Sequence, residues 1–205
     1  MQIIPVVMEK QWDQARSRLE SIYQNSTWVQ IDVTDGEMVE GKSFEMEPIN
    51  KFEFIEKLLL DIHLLVKEPI KWSEKCVFVG AARVIGQVEM MKDRVEFINK
   101  IKSEGMEAGL GFDIETEVDG IPDEIDLVLL MTRKAGYIQH EIDKRIWAKI
   151  EKLKSINSER EKPFLVAVDG GVNVENIEMF KEAGVDIIYS EGSYFKLIEN
   201  AKENN

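Results

Sequence analysis

A single cysteine, Cys76, is all the chain offers to disulfide chemistry, so no intramolecular bridge can form. Basic residues are scarce. Against 39 Asp+Glu stand 26 Lys+Arg, giving a formal charge of -13 that repels a phosphate backbone or an anionic membrane surface. Nucleic acid is therefore not expected as a partner. No stretch approaches the roughly twenty apolar residues of a membrane span, so no membrane insertion is expected either. The opening "MQIIPVVMEK" has no basic leader and no small-residue cleavage site, which leaves a cytoplasmic location as the expectation. Linkers are also missing. With no Ser/Gly-rich or low-complexity block and 44% hydrophobic content, residues 1–205 read as one domain with a sizeable core.

What the chain does contain is a rhythm of short apolar runs separated by amphipathic segments. The runs read as eight strands: "QIIPVV" from Gln2, "WVQIDV" from Trp28, "DIHLLV" from Asp61, "CVFV" from Cys76, "EAGLGF" from Glu107, "DLVLLM" from Asp126, "FLVAV" from Phe164 and "DIIYS" from Asp186. Helical patterns span 11–24, 49–60, 82–103, 141–157 and 173–183, with "ENAKE" in the last helix. Connections this short favour right-handed parallel crossovers. The expected fold is an α/β (β/α)8 TIM barrel, with short helices in the third and fifth units; a doubly wound open sheet is the alternative.

In such a barrel the active site lies at the C-terminal ends of the strands. Polar residues gather there: Asp32, His63, Asp113, Thr132, Asp169 and Glu191. Each has a bland reading, since a strand-end Asp is often a cap and a lone His on an apolar strand is usually a satisfied core residue. As a group they say more. Asp32, His63 and Asp169 come from three strands and would converge on the barrel axis as oxygen and nitrogen donors suited to a divalent metal. Asp32 is the most telling, because a carboxylate inside the apolar run "WVQIDVTDG" is costly unless something uses it. By contrast, His140 beside Glu141 and Asp143 reads as a surface residue, and Cys76 as buried and inert.

The motifs "WVQIDVTDG", "DIHLLVKEP", "AGLGFDIET", "DLVLLMTRKAGY" and "VAVDGGVNVENI" together, spread along nearly the whole chain, resemble those of the ribulose-phosphate 3-epimerases. The resemblance implies proton abstraction at carbon 3 of a 2-ketopentose phosphate and proton return to the opposite face. Asp32 and Asp169 would be the two acid/base groups, and both would ligate a divalent metal with His63. Manganese, zinc, iron and magnesium are the candidates. Phosphate would be held by the backbone at Gly136, at Gly170 and Gly171, and at Gly192 and Ser193 before the last helix. A homo-oligomer is also implied.

Four positions depart from the family pattern. Gln30 stands where a His supplies a fourth metal ligand, and an amide oxygen is a weaker, harder donor, which shifts preference from zinc toward manganese or magnesium. Val6 replaces a substrate-contacting Ser. Ile138, with Gln139, fills a loop where two glycines allow close backbone approach. Glu191 occupies a glycine position unless one inserted residue restores Gly192–Ser193. Two function classes follow: a metal-dependent ketose or ketose-phosphate 3-epimerase, or a divergent barrel that acts on another sugar or serves binding or assembly without catalysis.

Overall fold

The computed structural model describes residues 1–136 and 141–203. Eight parallel strands close into a barrel in sequence order: β1 (Gln2–Val7), β2 (Trp28–Thr34), β3 (Leu59–Leu65), β4 (Ala81–Gln87), β5 (Glu107–Phe112), β6 (Leu127–Met131), β7 (Leu165–Asp169) and β8 (Ile187–Ser190). The open-sheet alternative is thereby excluded. Six α-helices surround it among the described residues: α1 (Trp12–Ile22), α2 (Ser73–Phe78), α3 (Arg94–Ser103), α4 (Arg145–Ser158), α5 (Ile177–Glu182) and α6 (Tyr194–Glu203). The helices dock through narrow apolar stripes. In α1 these are Ala15, Leu19 and Ile22, and in α4 Ile146, Ile150 and Leu153, both at the spacing that puts side chains on one helical face.

The strands bury both faces, as parallel strands under helices do. On β2, Val29, Ile31 and Val33 join the layer beneath the helices, while Gln30 and Asp32 alternate with them and face the barrel axis. The barrel interior is polar on β2 to β4 and apolar on the opposite wall, where Ile4, Val6, Leu127, Leu129, Met131 and Ala167 cluster.

Three expectations need correction. "CVFV" is no strand: Cys76 lies in α2 with its side chain buried, while Val77 and Phe78 project outward. The fourth strand is instead "AARVIGQ", which the 82–103 helical pattern had absorbed; Arg83 and Gln87 conceal it because they point inward to partners on β3. The 49–60 helix is replaced by two 3-10 turns (Glu47–Lys51 and Ile55–Lys57), and β3 begins already at Leu59. There Phe52 and Phe54 pack around Tyr23, the latter stacked at 4.3 Å, a spacing of two residues that a helix would place on different faces. The short third helix is α2, and the β5–β6 connection contains no helix.

Candidate metal and acid/base centre

Register brings the central residues together. Asp32 on β2 pairs with His63 on β3, and Asp169 ends β7 on the far side of the barrel mouth. One ligand atom from each of Asp32, His63 and Asp169 lies within 4.8 Å of the others. His63 Nδ1 is 3.1 Å from Asp32 Oδ1, and Gln30 Nε2 donates to that same oxygen at 2.8 Å. The donor set fits a divalent cation: two carboxylates and an imidazole converge, and the buried Gln30 Oε1 beside them has no hydrogen-bond partner among the described residues.

The electrostatics are those of like charges held close at the floor of a pocket. Asp169 is pushed up to about 7, chiefly by burial and next by the charge of Asp32; His63 and Arg133 pull the other way, and Glu191 adds to the rise. Burial works against the His63 imidazolium, yet the hydrogen bond it donates to Asp32 and the charges of Asp32, Asp169 and Asp61 outweigh it and raise its pKa.

Above this cluster opens a pocket of about 500 Å3, lined by residues that include Val6, Asp32, Arg133, Gly136, Asp169 and Ser193. Its size suits a small polar metabolite. Gly170 and Gly171 follow β7 with φ of 99° and 65°, turning the chain sharply at the pocket wall. Gly136 sits at φ 79°, where a Cβ would come within 2.8 Å of Val39 Cγ1. Ser193 directly precedes α6, beginning its hydrogen-bond ladder through its carbonyl to the Leu197 amide at 3.0 Å. Gly192 and Ser193 thus occupy the helix start, and Glu191 stands at the rim with Arg18 bonded to its backbone carbonyl. Burial, then Asp32 and Glu9, raise the Glu191 pKa.

Other strand-end candidates serve the backbone. Thr132 Oγ1 donates to the Gly170 carbonyl at 2.5 Å, and Asp113 accepts the amides of Glu115 and Ala135. Cys76 is buried, its thiol pushed up to about 12 by burial and then by Glu104. Ile138, Gln139 and His140 lie outside the described residues. Sequence reasoning missed Gln87, whose amide reaches His63 Nε2 at 2.9 Å, and a buried layer deeper in the barrel. There Asp61 accepts from Arg83 Nη1 at 3.0 Å and from the Tyr189 hydroxyl. Asp61 was visible beside His63 in "DIHLLV", but its partners lie 22 and 128 residues away.

The sequence profile of the Ribulose-phosphate 3 epimerase family matches residues 2–195. A ribulose-phosphate 3-epimerase from Chlamydia muridarum (strain MoPn / Nigg) is 30% identical over 192 residues, covering 90% of this chain and 82% of that protein. Another from Treponema pallidum (strain Nichols) is 27% identical over 171 residues, covering 82% and 78%. Among solved structures, a mutant tryptophan synthase alpha-subunit from Pyrococcus furiosus superposes with a TM-score of 0.67 at 14% identity, covering 97% of this chain and 90% of that one, a likeness of fold alone. With the profile matched from β1 into α6, the chain belongs to the ribulose-phosphate 3-epimerase family.

Proposed function

We propose that the protein is a metal-dependent ketose-phosphate 3-epimerase that interconverts ribulose 5-phosphate and xylulose 5-phosphate through an enediolate. The observation that carries this reading is the meeting of Asp32 and Asp169, carboxylates from β2 and β7, at the floor of one pocket with His63 beside Asp32. Epimerisation needs a base on one face of carbon 3 and an acid on the other. Asp169 would return the proton through a carboxylate oxygen turned to carbon 3, while Asp32 takes the proton removed; the roles exchange in the reverse direction. Asp32, His63, Asp169 and, as the weak fourth donor, Gln30 would hold the divalent ion. When bound, such an ion supplies positive charge to the oxyanions that develop next to carbon 3. Manganese or magnesium suits the amide donor best, with iron and zinc as the other candidates.

The rest of the pocket orients the substrate. Backbone N–H groups at Gly170, Gly171, Gly192 and Ser193 would receive the phosphate at the start of α6, with Gly136 closing the opposite side. Val6 presents an apolar wall there, buried at 2% exposure, so it contributes shape and exclusion of water. No described helix is long and apolar enough to cross a membrane. The reading carries with it a single barrel domain over 1–205, a cytoplasmic location, a small-molecule partner rather than nucleic acid, and a homo-oligomer.

Glu191 favours a second reading, in which phosphate is weakly recognised and another sugar is the substrate, or the barrel binds without turnover. A carboxylate on the rim repels a dianion. Deuterium incorporation at carbon 3 of ribulose 5-phosphate in heavy water, followed by NMR with manganese, zinc, iron and magnesium in turn, separates the two. Exchange is expected with at least one metal; none with any metal would overturn the epimerase assignment.

A further inference from the structure

His63 faces the carboxylate cluster with Nδ1 and turns Nε2 away from it, toward the end of β4. There the fully buried Gln87 amide satisfies its neighbours in one orientation: Oε1 accepts from His63 Nε2 at 2.9 Å, while its NH2 group donates to the Gly111 carbonyl at 2.9 Å and to Glu89 Oε2 at 2.8 Å. Reversing the amide would set two acceptors against its oxygen. Glu89 is fixed in turn, because its other oxygen accepts the Asp113 amide at 2.8 Å. Asp113 holds the Ala135 amide at 2.9 Å, one residue before Gly136 in the pocket. The path has been given room, since a Cβ on Gly111 would stand 2.8 Å from the end of the Gln87 amide.

We propose that Gln87, oriented by Glu89 and the Gly111 carbonyl, is a positioning residue that fixes neutral His63 as the Nε2–H tautomer and leaves its Nδ1 lone pair directed at Asp32 and Asp169. A ring nitrogen that binds a metal must be unprotonated, and the hydrogen bond made by the other nitrogen decides which one that is. Left to Asp32 alone, the proton would sit on Nδ1 and block the donor. Gln87 supplies the competing acceptor. The same path ties the imidazole to the loop carrying Ala135 and Gly136, so the ring and the pocket wall are set by one network. This inference rests on the epimerase reading for its purpose, though not for its geometry.

The chain has two histidines, His63 and His140, which makes the tautomer readable by long-range proton–nitrogen NMR on histidine-labelled protein without metal. At alkaline pH the unsubstituted protein is expected to show His63 protonated on Nε2 only; an Nδ1–H signal would overturn the proposal without any variant. Gln87→Leu removes the acceptor and is expected to give Nδ1–H or a mixture, with manganese binding weakened by about tenfold in calorimetric titration. An unchanged tautomer and unchanged manganese affinity in Gln87→Leu would reduce Gln87 to packing and sink the idea. If the tautomer behaves as stated while ribulose 5-phosphate shows no exchange, the positioning role stands and the assigned reaction falls.

Discussion

Gln30 donates to Asp32 Oδ1 across 2.8 Å from two residues back on the same strand. Period two puts both side chains on the barrel axis, so this contact follows directly from strand geometry. It also engages the carboxylate oxygen nearest His63 Nδ1.

Replacing that amide by an imidazole changes the donor set. Gln30→His is expected to tighten zinc binding by about tenfold or more, because a nitrogen ligand replaces a weak amide oxygen. Calorimetric titration with zinc and manganese checks this, and equal affinities in both proteins would show that position 30 does not face the ion.

The two carboxylates are expected to be individually indispensable. Asp32→Asn and Asp169→Asn should each lower the rate of carbon 3 exchange by about 100- to 10,000-fold with the barrel still folded by circular dichroism. Full activity in Asp169→Asn would remove the two-base scheme.

The pH dependence has a definite sign. Asp169 titrates at about 7 in the folded chain against an ordinary 3.8, so between those values the folded state holds a proton that the unfolded state has released. Stability without metal therefore rises as pH falls through that window. Asp61, raised to about 6 mainly by burial, acts in the same direction. The raised His63 also agrees: its contribution is fully present below 6.5 and is lost as pH climbs through the folded value. The metal-free protein should melt at a higher temperature near about pH 5.5 than near about pH 8. Metal binding should run oppositely, since it requires deprotonated ligands, with affinity falling as pH drops below about 7. Melting curves with and without manganese test both; the same slope in each would count against Asp169 as a ligand.

Arg83 and Asp61 form a buried ion pair at 3.0 Å, with the Arg83 guanidinium also 4.4 Å from the Trp28 ring centroid. Arg83→Leu leaves the Asp61 charge without its cation and is expected to destabilise the fold by about 3–5 kcal/mol. Urea unfolding measures the loss. A smaller loss in the Arg83→Leu, Asp61→Asn double variant is expected, because the stranded charge is then gone.

The amino-acid sequence by itself determined the alternation of strands and helices, the barrel, and the three polar side chains at its mouth. It could do so because each signal is local: an apolar run, a helical stripe, a carboxylate out of place in a strand such as Asp32. On β4 the inward Arg83 and Gln87 interrupt the apolar run, so residues 82–103 carry a helical pattern through a stretch that is strand. Only tertiary structure decided what those residues do. Arg83 meets Asp61, Glu107 and Tyr189, and Gln87 meets His63 and Gly111, residues of other strands brought alongside by barrel closure. The elevated pKa of Asp169 has the same origin, because burial and the charge of Asp32 act through space, across 137 residues of chain.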